Sequence, residues 1–319
     1  MSNSKTKIVI IGSGNVGEAV GYTLMLRKQA GEIVMIDINE ARAQGSAFDI
    51  LHATAYMHEV NVRYGEYSEC ANADVIIVTA GVARKPGQTR LELAKVNLSI
   101  AREVSEHIMK YARNPFIIVV SNPVDLMTYA ITKMTGLPAN RVIGTGTTLD
   151  TARFRCLLGE ICNVSVCDVG GYICGEHGDS QIALWSGVTV GGEPLEQFLS
   201  HAGILDIDRL AIESRVKKSG AEIIARKGAT FYGVASATSR IVEAFLEDQR
   251  AVLPVSHLIS SGFPGLEGVA VSLPCIVDGT GLARIFPVSM SKEERTALIS
   301  AAAKLRAFTM QAMEEQKNR

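Results

Sequence analysis

The run Gly175-Glu176-His177-Gly178-Asp179-Ser180 sets one imidazole among glycines and acids in a compact turn, and His177 is alone among the six histidines in having such surroundings. Interconverting a ketone and an alcohol needs a group that gives and takes a proton near neutral pH, which is the range of imidazole. A lone histidine is more often a structural hydrogen-bonder, so this reading needs a reductant and a substrate grip elsewhere in the chain. Gly12-Ser13-Gly14-Asn15-Val16-Gly17 supplies the first: a G-x-G-x-x-G that follows an apolar run at 8–11 and opens a helical stretch, the context that gives this pattern weight. Gly12 permits the tight turn, Gly14 lets the backbone approach a pyrophosphate, and Gly17 allows close helix–strand packing. The helix N-terminus turns its unpaired N–H groups and positive dipole end toward the phosphates. Asp37 closes the next apolar run, about twenty residues further on, where an acid accepts hydrogen bonds from the adenosine ribose. A carboxylate there repels a 2′-phosphate, so NAD is expected over NADP; Asn39 and Arg42 lie nearby without replacing the acid. The segment Gly81-Val82-Ala83-Arg84-Lys85-Pro86-Gly87-Gln88-Thr89-Arg90 carries three cations among Gly and Pro, as suits a loop that closes over an anion and excludes water.

These residues need a scaffold, and its elements are visible in the hydrophobic pattern. Short blocks of Val and Ile at 8–11, 33–36, 75–79, 116–120 and 142–143 show little polar alternation and suit strands buried on both faces. Alternated with helical stretches, they predict an α/β fold: a Rossmann-type doubly wound parallel sheet, with ligands at the carboxyl ends of the strands. The second half predicts helices at 150–160, 210–227 and from 235 to 247, strands at 188–190 and 269–277, and a last helix opened by Ser291 and Glu294 as a capping box ahead of Leu298, Ile299, Ala302, Leu305 and Phe308. This half reads as an α+β catalytic domain. The expected division is residues 1–146 for the NAD-binding domain and 147–319 for the catalytic, substrate-binding domain, packed with a cleft between them.

A formal net charge of -1 gives no reason to expect a nucleic-acid or membrane-surface partner. No apolar run is long enough to cross a bilayer and no signal-peptide core precedes residue 8, so a cytoplasmic location is expected. Cys70, Cys156, Cys162, Cys167, Cys174 and Cys275 form no C-x-x-C pair and are read as reduced packing residues, with no metal site.

Together, residues 12–17, the loop 81–90, Ser121-Asn122-Pro123-Val124-Asp125, Thr147-Thr148-Leu149-Asp150-Thr151-Ala152-Arg153-Phe154-Arg155 and residues 175–180 resemble the L-lactate/malate dehydrogenase family, in its order and spacing, over about residues 7–308. The TLDTARFR and GEHGDS forms are those of its lactate branch. The resemblance implies an NAD-dependent exchange of hydride with a small 2-oxo or 2-hydroxy acid. His177 would be the proton donor and acceptor, Asp150 its orienting partner, and Arg90 on the lid would polarise the reacting carbonyl. Arg153 would grip the 1-carboxylate through a two-pronged ion pair. Asn122 would bond near the substrate oxygen and the cofactor, and Thr145 would stand by the nicotinamide carboxamide. Gly12, Gly14, Asn15, Val16, Gly17, Asp37, Thr79, Ala80, Gly81 and Asn97 would complete the cofactor site. The family also implies a homotetramer, or a dimer.

The substrate signals conflict. Arg84 stands where lactate dehydrogenases usually carry Gln and malate dehydrogenases carry Arg. An unpartnered guanidinium in a closed, water-poor site costs up to about 3–5 kcal/mol, and even about 1.4 kcal/mol is a tenfold preference. Oxaloacetate offers Arg84 a carboxylate and pyruvate only a methyl, so oxaloacetate/L-malate is the expected pair. Thr230 and the lactate-type framework favour the alternative, pyruvate/L-lactate. Arg155 matches the Arg of the fructose 1,6-bisphosphate site of activated bacterial relatives, but the position of that site's His is Gly170, so activation is not expected. NAD-dependent glycosidases share a related start but need a Cys/His-bound metal and a longer chain. A non-enzymatic NAD-binding protein could dispense with His177, Asp150, Arg90 and Arg153, all of which are present.

Overall fold

Strands without polar alternation must bury both faces, and the sheet shows how. The computed structural model describes residues 6–83 and 87–317. Strands β1 (Lys7–Ile11), β2 (Glu32–Ile36), β3 (Asn61–Tyr64), β4 (Val75–Val78), β5 (Phe116–Val119) and β6 (Val142–Gly144) pair in parallel in the order β6-β5-β4-β1-β2-β3. Successive residues point to opposite sides, so Ile8, Ile10, Ile33, Met35 and Ile77 enter one apolar core while Val9, Ile11, Val34, Ile36 and Val78 enter another. Helices α1 (Asn15–Leu26), α2 (Glu40–Ala53), α3 (Arg90–Tyr111) and α4 (Val124–Thr135) lie between these strands in sequence. This is the doubly wound arrangement whose ligands sit beyond the strand carboxyl ends.

The second half begins with α5 (Thr148–Cys162). It continues through five two-residue strands, β7 (Val169–Gly170), β8 (Ile173–Cys174), β9 (Ile182–Ala183), β10 (Thr189–Val190) and β11 (Glu193–Pro194), and through α6 (Leu195–His201), α7 (Arg209–Lys227) and α8 (Tyr232–Leu246). The antiparallel strands β12 (Ala251–Leu258), β13 (Ala270–Asp278) and β14 (Gly281–Ile285) precede α9 (Lys292–Lys317). β12 pairs antiparallel with β6, so these three strands prolong the first-half sheet to nine strands among the described residues. β3 and β12 were not among the strands read from sequence. β12 carries Pro254, which lacks a ladder donor and argues against a strand, yet in the structure Pro254 sits opposite Pro274 of β13.

Two helix starts carry capping boxes. α9 opens on the expected one: Ser291 N–H donates to Glu294 Oε2 at 2.8 Å and Glu294 N–H to Ser291 Oγ at 3.2 Å. α3 opens on a second box, Thr89 with Glu92, which fixes Arg90 in its first turn. A cation at that positive end is disfavoured, so the box offsets a local cost in a position set by the site. The cysteine reading needs correction: Cys70, Cys162, Cys174 and Cys275 are buried, but Cys156 and Cys167 are exposed and pack no core.

Glycines separate the constrained positions from the free ones. A Cβ on Gly17 would lie 1.9 Å from the Gly12 carbonyl oxygen, whereas one on Gly45, in exposed α2 backbone, would meet nothing within 4 Å. Gly17→Ala is expected to destabilise the fold by roughly 1–3 kcal/mol, and Gly45→Ala to stabilise it by about 0.5–1 kcal/mol. Urea unfolding of both variants checks this; equal effects would contradict it.

Candidate active site

The carboxyl ends of β1, β2, β4, β5 and β6 are followed by residues 12–17, 37, 79–83, 121–125 and 145–150, so five separate segments arrive at one edge of the sheet. At the first, Gly12 has φ +106°, and a Cβ there would stand 2.6 Å from the Ala80 nitrogen. Thr79 Oγ1 donates to Gly12 O at 2.7 Å, fastening the glycine turn to β4. Beside Gly14 there is open space, and α1 begins on Gly14 with no side-chain cap, leaving the turn of Asn15, Val16 and Gly17 with N–H groups for an incoming anion. Ser13 Oγ is buried and has no partner among the described residues. Asp37 accepts the Ser13 N–H at 2.6 Å and the Asn39 N–H at 2.9 Å, and it stays partly exposed. Arg42 donates to Asn15 Oδ1 at 3.2 Å and lies 3.7 Å from Glu18, so it is engaged at the loop itself. Sequence reasoning missed Ile38, an apolar side chain 97% exposed directly after Asp37. An open glycine turn, uncapped N–H groups, an orphan hydroxyl and one carboxylate are a fitting cradle for a dinucleotide without a 2′-phosphate.

Ala80 and Gly81 continue from β4, and Ser121 Oγ holds Ala80 O at 2.6 Å. Asn97, one of the residues expected at the cofactor, is fully buried: it accepts the Val82 N–H at 2.9 Å and donates to Asn122 O at 2.7 Å and Val82 O at 3.2 Å. Its amide is spent on joining the segments after β4 and β5. Asn122 is exposed and accepts the Val124 N–H at 3.2 Å, while its Nδ2 has no partner among the described residues. Thr145 is buried behind β6, with its N–H on Val119 O at 2.9 Å. Thr230 is partly buried just ahead of α8. Arg84 lies outside the described residues.

Helix α5 sorts its polar residues by function. Gly146, at φ +51°, makes a turn too tight for a Cβ, which would stand 2.4 Å from Ser272 Oγ. Thr147 Oγ1 then donates to Ile173 O at 2.6 Å and Thr151 Oγ1 accepts the Ile173 N–H at 2.9 Å, so one face of the helix is fastened to β8, two residues before the turn at 175–180. The neighbouring residues Asp150 and Arg153, three apart, meet each other: Arg153 Nη1 donates to Asp150 Oδ1 at 3.0 Å. His177 Nδ1 lies 2.5 Å from Asp150 Oδ2. The Asp150 carboxylate is 2% exposed, so each oxygen carries one cationic or ionisable partner. Burial disfavours ionisation of both groups. For Asp150 the charges and hydrogen bonds of His177 and Arg153 outweigh it and hold the carboxyl below its usual range. For His177, burial lowers the pKa, but the Asp150 charge and hydrogen bond, with a smaller contribution from Asp125, raise it above the ordinary value.

Arg90 forms a close ion pair with Glu176, which also accepts from Ser180 Oγ, and its guanidinium lies 4.6 Å from the centre of the Phe308 ring. Sequence reasoning assigned no role to Glu176, Phe308 or Asp125. The first and last are acids inside motifs already singled out, which was the available signal; Phe308 is brought in by α9 from far along the chain. Arg155 donates to Gly171 O at 3.0 Å and its guanidinium lies over the Tyr172 ring. At Gly170 a Cβ would stand 2.3 Å from Thr189 Oγ1. Among the described residues, no group of three metal-ligating side chains forms and no helix is long and apolar enough to cross a membrane.

Two family models match: lactate/malate dehydrogenase, NAD binding domain, over residues 6–144, and lactate/malate dehydrogenase, alpha/beta C-terminal domain, over residues 147–316. Among curated relatives, an L-lactate dehydrogenase of Clostridium botulinum is 38% identical over 94% of this chain and 95% of its own. One of Acetivibrio thermocellus is 41% identical over 92% and 94%. The ligand-bound crystal structure of the minor L-lactate dehydrogenase from Enterococcus mundtii superposes with a TM-score of 0.93 at 41% identity, covering 97% of this chain and 98% of that one. A lactate dehydrogenase from a Medee basin deep-sea metagenome library gives 0.94 at 34% identity, covering 98% and 100%.

The Asp37 carboxylate sets the expected cofactor preference. NADH should exceed NADPH in kcat/KM by on the order of 100-fold, and Asp37→Ser should shrink that ratio at least about tenfold, or 1.4 kcal/mol. Because the ratio is internal to each variant, loss of the Ser13 bond cancels. An unchanged ratio would remove Asp37 from cofactor selection.

Proposed function

The chain belongs to the lactate/malate dehydrogenase family and is an NAD-dependent oxidoreductase of 2-hydroxy acids, and from that premise we propose that its working pair is pyruvate and L-lactate. The preference expected from Arg84 alone was oxaloacetate. The relatives favour lactate instead: those of 38–41% identity over more than nine-tenths of the chain are L-lactate dehydrogenases. Thr230 and the TLDTARFR and GEHGDS motifs support the same reading.

The observation that carries the mechanism is the single Asp150 carboxylate shared by His177 and Arg153. With Nδ1 held by Asp150, the imidazole has Nε2 left to give its proton to the 2-oxo oxygen, and the adjacent carboxylate stabilises the imidazolium before transfer. Arg153 uses one Nη on Asp150, which fixes its plane and leaves N–H groups for the two-pronged hold on the substrate carboxylate. Arg90 polarises the carbonyl as charge builds on the oxygen, and to do so it exchanges its bond to Glu176 for the substrate as the lid closes. Asn122 Nδ2 offers one more donor at the same edge. Residues 12–17, Asp37, Thr79, Ala80, Gly81 and Thr145 would hold the dinucleotide, which when bound would supply the hydride in reduction and take it up in oxidation.

A second reading, oxaloacetate and L-malate, rests on Arg84. A panel of 2-oxo acids with NADH, run on the parent and on Arg84→Gln, separates the two. The pyruvate reading expects parent kcat/KM for pyruvate above that for oxaloacetate; the reverse order by tenfold or more would replace it with the malate reading. The site near Arg155 and Gly170 leads us to expect less than a twofold change in KM on adding fructose 1,6-bisphosphate. The assembly that accompanies this reading is a homotetramer or dimer, located in the cytoplasm; light scattering measures the assembly.

His177→Ala should lower turnover by about 10²–10⁴ while NADH binding, followed by fluorescence, stays within about threefold. Near-normal turnover would refute the assignment. Because reduction uses the imidazolium and its pKa is raised, pyruvate reduction should be full below that raised pKa and fall as pH rises through it. Lactate oxidation should show the opposite slope.

A further inference from the structure

Asp125 is a second buried carboxylate at the catalytic turn, and the proton-transfer mechanism gives it no task. It sits in the first turn of α4, 3% exposed. Its Oδ2 accepts the main-chain N–H of His177 at 2.8 Å and its Oδ1 accepts the Ser256 hydroxyl, from β12, at 2.6 Å. It therefore ties three distant segments together at the residue that moves the proton. The neighbouring main chain is held by Gly175, whose N–H and O pair with Ser272 at 2.9 Å, and by the turn from Gly178 to Gln181. Between those two anchors, residue 177 hangs on Asp125. A carbonyl or an amide could accept that one N–H. A carboxylate there costs desolvation, which a nearby cation offsets.

We propose that Asp125 is a positioning residue for the acid–base step: it fixes His177 through the main chain and supplies a second negative charge that holds the imidazolium. This inference rests on the proton-transfer role given to His177. The charged groups around that imidazole are Asp150 and Arg153 from α5 and Asp125 from α4, with Arg90 of α3 in turn facing Asp125. Burial raises the Asp125 carboxyl above its usual range, and the two hydrogen bonds with the His177 and Arg90 charges offset only part of that rise. The helix N-terminus on which it stands also favours the ionised form.

The test is an NMR titration of the His177 ring in the full-length protein, assigned by the resonance missing from His177→Gln. In Asp125→Asn the His177 midpoint should fall by at least about 0.5 pH, with kcat for pyruvate reduction down about tenfold and NADH affinity within twofold. An unchanged or higher midpoint would leave Asp125 a purely structural anchor and overturn the proposal. If Asp125→Asn does not fold, Ser256→Ala decides. It keeps the Asp125 bond to the His177 main chain but removes the hydroxyl that favours the ionised carboxylate, so the midpoint should fall; an unchanged or higher one overturns the proposal. The titration needs no substrate, so it stands apart from the dehydrogenase function: a parent protein that reduces no 2-oxo acid sinks that function and still returns the midpoints.

Discussion

One buried carboxylate organises the catalytic half of this molecule. Asp150 would be costly in a site from which water is largely excluded, and it is tolerable only because an imidazole and a guanidinium meet its two oxygens. The same pairing gives each partner its orientation. Remove the carboxylate and the imidazole loses its fixed tautomer, while the guanidinium loses the bond that sets its plane. The proposed proton donor and carboxylate grip are therefore coupled through one side chain rather than built independently, with Asp150 and Arg153 three residues apart on α5.

That coupling makes strict demands on the scaffold. α5 must start where β6 ends, through a glycine turn pressed against β12 and β13. Its threonines must lock onto β8 so that the turn bearing His177 arrives opposite Asp150. The antiparallel strands of the second half meet this demand by joining the sheet of the first half at β6. Ser256 and Ser272 then reach Asp125 and Thr147 directly. On the lid side, the Thr89–Glu92 box places Arg90 at a helix end that does not favour a cation, a local conflict of the kind that marks functional positions.

What could be read in the sequence came from local rules. Runs of Val and Ile gave five of the six parallel strands, and the sixth, Asn61–Tyr64, is a short edge strand of mixed polarity with no such signature. The glycine loop with Asp37, and the motifs holding Asp150, Arg153 and His177, were visible because their spacing is itself the chemistry. Asp125 and Glu176 were in view but without a task, since their partners, Ser256 and Arg90, come from far along the chain. The bonds of Asn97 to Val82 and Asn122 could not be read from a pattern, because position does not reveal which way an amide points. β12 was not read, although β13, which carries a proline at the opposite position, was.

The disagreement between Arg84, which lies outside the described residues, and the lactate-type framework turns on a count of charges. With His177 protonated, the residues around the reaction carry three positive charges, on His177, Arg153 and Arg90. Against them stand Asp150 and Glu176, and a monoanionic 2-oxo acid brings the balance to zero without Arg84. On that count an added guanidinium needs the second carboxylate of a dianion. The negative charge proposed for Asp125 changes the count, because the site would then carry one more negative charge and an arginine at position 84 would restore neutrality with a monoanion. Under that proposal an arginine that in isolation argues for oxaloacetate would be compatible with pyruvate through a carboxylate that touches His177 only at its backbone. On this view specificity belongs to the sum of the charges around the substrate, so no single lid position decides it.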